Sequence, residues 1–160
     1  MASLASVGQA ESLEMSQVET PVTLEPRVTV AFAMFCHEYD PERPTDLRQM
    51  TTGIGGWRAG APPTVELTLA VGLWNLTGPG RVRCRIGVRR PGEDLTFLGE
   101  GEAHVDTPGE MVIMPLKLTL TFERPGIYWA IGEFGGRVLV EVPFSVTEEE
   151  APTVRGPIAH

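Results

Sequence analysis

The sequence is short of the features that usually announce a function. No stretch approaches the roughly 18 consecutive apolar residues of a membrane span. The opening, MASLASVGQAESLEM, lacks a basic region followed by an unbroken apolar run, so no export signal is read there. There are only two cysteines, Cys36 and Cys84, without C-x-x-C spacing, which gives neither a zinc site nor a disulfide framework. In an unexported chain both are expected to be reduced, buried thiols. No G-x-S-x-G elbow is present. The glycines of TTGIGGWRAG (Gly53, Gly55 and Gly56) are followed by neither Lys-Ser/Thr nor a helix, so they make no phosphate loop. The ends carry −6 of the net −8, which leaves only −2 on residues 26–146, and such a near-neutral domain does not suggest a general nucleic-acid or anionic-membrane binder. These absences predict a cytoplasmic protein with no cofactor, no nucleic-acid partner and no membrane partner.

What is present fits a single folded unit. The chain has 160 residues, 42% of them hydrophobic, enough for one continuous core. Its 18 Gly and 14 Pro are spread as turn punctuation. The net charge of −8 sits mostly at the ends, because Met1 to Glu25 holds four Glu and no base, and Thr147 to His160 three Glu and one Arg. The expected organisation is a flexible acidic tail over 1–25, a folded domain over 26–147 and a second tail over 148–160. A short helix around Ala10 to Val18 is the weak exception to an otherwise two-residue period.

That period runs from Val28 onward. Val28, Val30, Phe32, Met34 and Cys36 alternate with Thr29, Ala31, Ala33 and Phe35, and both sets are largely apolar, as in a central strand. Gln49 to Ile54 reads as a short strand. Inward rows follow at Val65, Leu67, Leu69, Val71 and Leu73, then at Val82, Cys84, Ile86 and Val88. Leu95 to Leu98 and Glu102 to Val105 read as short strands around a bulge or turn at Gly99 and Gly101. The longest row is Val112, Met114, Leu116, Leu118, Leu120 and Phe122, where Pro115 points outward and lacks an amide donor, as on an edge or at a bulge. Ile127, Trp129 and Ile131 precede Val138, Val140, Val142 and Phe144, and Trp129 is expected in the core. Two hairpins are predicted. Across Gly135-Gly136, Ile131 would face Val140, Trp129 would face Val142 and Ile127 would face Phe144. Across NLTGPG, Leu73 would face Val82 and Val71 would face Cys84, which also sets Trp74 against Arg81 and Gly72 against Arg83. About eight or nine such strands predict an all-β fold, a two-sheet antiparallel β-sandwich of immunoglobulin-like type.

From Val28 to Thr147 the chain resembles a bacterial family of uncharacterised β-sandwich domains. Such domains open on an apolar strand ending in Cys-Asp, pass through a Gly-centred strand and close with F-x-x-P-G-x-Y and a terminal hairpin. Here the opening is VAFAMFCHEYD, with His37 in the usual Asp position, and the middle is QMTTGIGG. The close places Phe122, Pro125, Gly126 and Tyr128 in the motif. The resemblance implies the sandwich and no activity.

Several constellations deserve weighing as sites. His37, Glu38 and Asp40, with His104 and Asp106, could hold a divalent metal only if two loops converged, and their spacing matches no ligand pattern. The Cys36–His37 pair would need a bend, because neighbours in a strand point to opposite faces. Glu100, Glu102 and Asp106 are the loop carboxylates a hydrolase would use, though nothing selects them. Trp57 and Trp74 are expected in loops, as sandwich lids or as anchors for a partner or sugar. Arg81, Arg83 and Arg85 alternate with apolar residues and so share one outward face. Such a row is either solvated surface or, with Trp74 and Trp57, a binding surface for an acidic segment. The acids Glu148, Glu149 and Glu150 of this chain are candidates for masking it. The reading that follows is a non-enzymatic binding or scaffold module for a protein partner. The alternatives are a small metal-dependent or carboxylate-based hydrolase and a carbohydrate-binding module.

Overall fold

The computed structural model describes residues 24–44 and 46–150. Among them there is no helix, and nine strands form two sheets. The strands are β1 (Val28–Glu38), β2 (Arg48–Thr51), β3 (Gly53–Trp57), β4 (Thr64–Asn75), β5 (Gly80–Arg89), β6 (Leu95–Val105), β7 (Met111–Thr121), β8 (Gly126–Phe134) and β9 (Arg137–Glu148). One sheet runs β2-β1-β4-β7 and the other β3-β9-β8-β5-β6. The predicted sandwich is therefore present, with one amendment: β3 pairs with β9 in parallel. The expected helix around Ala10 to Val18 and most of both expected tails lie outside the described residues.

The core lies between the sheets. Leu67, Leu69, Val71 and Leu73 of β4 face Val82, Cys84, Ile86 and Val88 of β5 within one buried cluster. Both rows were legible as alternation, but the hairpin expected to join them does not form. β4 pairs with β1 and β7, and β5 with β6 and β8, so the chain crosses from one sheet to the other between Asn75 and Gly80. Two inward rows satisfy burial equally well side by side or face to face across a core. At the crossing, Asn75 is fully buried and its Oδ1 accepts a hydrogen bond from the Gly78 amide at 2.7 Å. The Asn75 backbone also bonds Glu110 and Gly109 of the β6–β7 turn, which ties the corner to the neighbouring connection.

Bulges decide which of two apolar sets points inward. In β1 the register shifts between Val30 and Phe32. Val28 and Val30 face the core before it, Ala33 and Phe35 after it, and Phe32 and Met34 turn outward. In β8 a shift between Gly132 and Glu133 opposes Tyr128 to Phe144, Ala130 to Val142 and Gly132 to Val140. The expected pairs through Ile127, Trp129 and Ile131 are thus displaced by one residue. Trp129 is not in the core; it is half-buried on the outer face, with the Arg89 guanidinium 5.6 Å from its ring. The two-residue loop itself is as predicted, with Gly135 and Gly136 at φ 59° and 75°, the left-handed pair that suits a tight hairpin. β6 is one strand with a bulge near Gly99 rather than two short strands. β7 is an edge strand and carries Pro115, so of the two placements open to that proline, edge or bulge, the fold uses the edge.

The F-x-x-P-G-x-Y close forms a corner. Phe122 is fully buried, edge-on to Tyr128 at 4.9 Å and stacked on Phe144 at 5.4 Å. The Tyr128 hydroxyl donates to the Arg124 carbonyl at 2.7 Å, which satisfies the polar end of a buried ring.

Candidate binding surfaces

The outer faces of the two sheets differ in chemistry. On the five-stranded sheet the arginine row is real, but each member is met by an acid of this chain. Arg81 lies 3.3 Å from Glu102, Arg83 3.5 Å from Glu25 and Arg85 2.8 Å from Glu133. Arg85 also lies over the Phe97 ring, 3.8 Å from its centroid. These ladders follow from register, since β6 brings Glu100 and Glu102 opposite Arg85 and Arg83 and β8 brings Glu133 opposite Arg85. Arg83, Arg85, Glu100, Glu102 and Glu133 wall a concavity of about 630 Å³. The masking acid is Glu25, from the other end of the chain than expected. Glu149 instead forms an ion pair with Arg58, which holds its carboxyl below the usual carboxylate range.

The two expected tryptophan anchors are not part of that surface. Trp57 ends β3, at the opposite edge of the five-stranded sheet from β6. Its ring packs on the core and its Nε1 donates to the Phe122 carbonyl at 2.8 Å, so it lids the sandwich. Trp74 lies on the other sheet, because β4 is not beside β5, and it is 42% exposed.

The outer face of the four-stranded sheet is the surface that sequence reasoning missed. Register places Trp74 between Thr29 and Met111, Gly72 between Phe32 and Ile113, and Ala70 between Met34 and Pro115. Three successive rungs across three strands are therefore almost wholly apolar. Gly72 is required by close approach, since a Cβ there would lie 2.5 Å from the Phe32 ring, which rests on it. Lys117, Glu66 and Thr119 return the face to polar character at its far end. The signal was the apolar second set of the first strand, but without the bulge near Ala31 it could not be assigned to a face.

The remaining candidates are not brought together. Cys36 is fully buried, burial pushes its thiol up, and its Sγ lies 3.6 Å from the Thr68 carbonyl, while the adjacent His37 is exposed. Cys84 is buried in the core as expected, and burial pushes its thiol up against an opposing backbone hydrogen bond at Gly101. His104 pairs with Asp106 at 2.8 Å near the Asn75–Gly80 end of the sandwich. His37, Glu38 and Asp40 are at the other end, where β1 meets β2. Among the described residues no three His, Cys, Asp or Glu side chains form a group able to hold a metal. Also among them, no helix is long and apolar enough to cross a membrane.

No protein-family model matches the chain, and no curated protein is significantly similar to it. Solved structures are similar in fold. A β-glucosidase from Erythrobacter marinus superposes with a TM-score of 0.51 over 76% of this chain at 12% identity. β-Glucosidases from Listeria innocua and Thermotoga neapolitana give 0.46 over 77% at 8% identity and 0.44 over 55% at 15% identity. The chain spans only 15%, 16% and 15% of those three proteins. At 12% identity the likeness to the Erythrobacter marinus protein concerns the fold alone and nothing of its chemistry.

Proposed function

We propose that this chain is a non-enzymatic protein-binding module that docks through the outer face of its four-stranded sheet. One observation carries the reading: Phe32, Met34, Trp74, Met111 and Ile113 share that face around a floor of Gly72 and Ala70. An antiparallel sheet with one face in water ordinarily alternates apolar-in with polar-out. The opposite outer face mixes its arginines and glutamates with Phe97, Ile127 and Trp129. Contiguous apolar surface on a folded domain marks an interaction site, and flat sheet faces suit packing against another apolar element. The two free, buried thiols suit a reducing compartment, which favours the cytoplasm.

The strand order β1-β4-β7 opposite β9-β8-β5-β6, with a tyrosine corner at Tyr128, agrees with immunoglobulin-like connectivity. Membership of the bacterial family with the closing F-x-x-P-G-x-Y is proposed on Phe122, Pro125, Gly126 and Tyr128. The test is photo-crosslinking in the producing cell from position 113 and, separately, from position 83. A single stoichiometric protein adduct from position 113, lost with Trp74→Glu, supports the reading. An adduct from position 83 alone assigns function to the arginine face instead. The second reading, a carbohydrate-binding module, is favoured by the exposed indole of Trp74 beside Phe32, a platform on which a sugar ring can stack. It predicts quenching of tryptophan fluorescence by oligosaccharides, abolished in Trp74→Ala. The metal-dependent form of the hydrolase reading would need His37, Glu38 and Asp40 to meet His104 and Asp106, and these lie at opposite ends of the sandwich.

A further inference from the structure

The two sheets do not close against each other everywhere. β6 and β7 are the edge strands on one side of the sandwich, and between them lies a cleft of about 340 Å³ lined by Cys84, Ile86, Gly99, Gly101, Met114 and Leu116. Gly101 is opposite Cys84 and Gly99 opposite Ile86, so both glycines occupy inward positions where Ala103 and Val105, further along β6, fill the core. Neither position requires glycine. Neither has a positive φ. A Cβ at Gly99 would meet nothing within 4 Å, and one at Gly101 only the Cys84 sulfur at 3.9 Å. The consequence is visible in the lining: Cys84 and Ile86 keep 8% exposure, whereas Val82 and Val88 on the same strand keep 0% and 2%. The core is left short of side chains along this seam.

The edge beside the seam is lightly guarded. Edge strands are normally blunted by charged side chains, Lys above all, by Pro or by a bulge. β7 has Pro115 and Lys117, but β6 has neither, and its bulge falls between Phe97 and Gly99, leaving Gly99–Val105 regular. Among the described residues, Leu95–Val105 makes no backbone hydrogen bond outside its ladder with β5. The outward side chains there are Glu100, Glu102 and His104. Glu102 is held only by an exposed contact to Arg81, and among the described residues Glu100 has no ion pair.

We propose that β6 is a strand-addition site for an extended segment of a partner protein in which apolar residues alternate with Lys or Arg. Backbone pairing along Gly99–Val105 supplies the affinity, as in other edge-strand recognition. An inward apolar side chain enters the seam over Gly99 and Gly101 and covers Met114 and Leu116. The outward bases lie beside Glu100 and Glu102, where opposite charges on neighbouring strands stabilise the pairing. A second copy of this chain fits poorly. Two β6 strands paired about a two-fold axis would set Glu100 and Glu102 alongside their own copies, and glycine against glycine would leave the seam empty.

The experiment uses the full chain and short capped peptides in which lysine alternates with valine and leucine, with a glutamate analogue as control. Amide exchange over 97–105 and the labelling rate of Cys84 are read at low and high salt. The expected result is protection of those amides and slower Cys84 labelling with the lysine peptide, weakened by salt. Gly101→Val, which fills the seam, should weaken binding by about tenfold or more, the effect expected when a buried anchor loses its pocket. Glu100→Lys with Glu102→Lys should exchange the preference to the glutamate peptide, and this pair keeps the test informative if Gly101→Val fails to fold. The proposal is overturned by equal binding of both peptides, by protection elsewhere than β6, by no protection at all, or by self-association that buries β6. None of these outcomes bears on the four-stranded face, which position 113 reports separately.

Discussion

At the scale of residues, alternation was a good guide to burial and a poor guide where both alternating sets were apolar. Cys84, Val82, Leu69 and Leu118 lie inward as their rows predicted. Trp129 does not, because Ile127, Trp129 and Ile131 compete with Tyr128, Ala130 and Phe134 for the core face of one strand. An extra residue in β9, Leu139, shifts the register and sets Tyr128 and Ala130 of the second set opposite Phe144 and Val142. The two aromatic positions should therefore separate in denaturant unfolding. Phe144→Ala should cost about 3–5 kcal/mol, as large-to-small changes in a packed core do. Trp129→Ala should cost about 1–2 kcal/mol, because its ring is half in water and loses mainly a contact with Arg89. Equal losses would return Trp129 to the core. The thiols make a second residue-scale test. Burial raises both, so each is a neutral thiol in the fold, and the stability this contributes is present below the ordinary thiol range and lost as pH rises through it. Both should label slowly near neutrality. Cys84, at the seam, should react ahead of Cys36, which has no exposure; the reverse order would mean that the seam is closed.

At the scale of elements, strand existence was legible and strand partnership was not. A turn such as Gly135-Gly136 names its neighbours because two residues can connect only adjacent antiparallel strands. NLTGPG is long enough to do something else, and it carries the chain between sheets. The price of the misassigned neighbour was the site: Trp74 was set beside Arg81, and the two lie on different sheets. The closing corner was legible in composition, since Pro-Gly and two aromatics read as a plugged turn. Tyr128→Phe should cost about 0.5–1.5 kcal/mol, the net worth of one intramolecular hydrogen bond, with the strand pairing of β8 and β9 unchanged. β3 is tethered at its end by Arg58 and Glu149. Because that partnership lowers the Glu149 carboxyl, the contact is present above the ordinary glutamate range and lost as pH falls through the folded value. An NMR titration of the Glu149 amide, which donates to the Trp57 carbonyl at 3.1 Å, should report its loss on acidification and no change above neutrality.

At the scale of the whole molecule, contacts with the sandwich reach residues on both sides of 26–147. Glu25 is engaged with Arg83, and Glu149 with Arg58, so both sides of 26–147 contribute contacts. Because one buried cluster joins the strands of both sheets, denaturant unfolding should show a single transition by fluorescence and by far-UV circular dichroism; two separated transitions would contradict this. The sequence by itself determined the class of fold and most inward rows, and it limited Pro115 to an edge or a bulge. These follow from local chemistry: a two-residue period and a missing amide donor. Only the tertiary structure decided which strands are neighbours, where bulges exchange one face for the other, and hence that one sheet turns an apolar face outward while the other balances its arginines with its own acids. Alternation specifies a face modulo one residue, and side-by-side or face-to-face placement of two apolar rows buries them alike. The choice between those placements is made by corners such as Asn75 and by packing against strands far away in sequence.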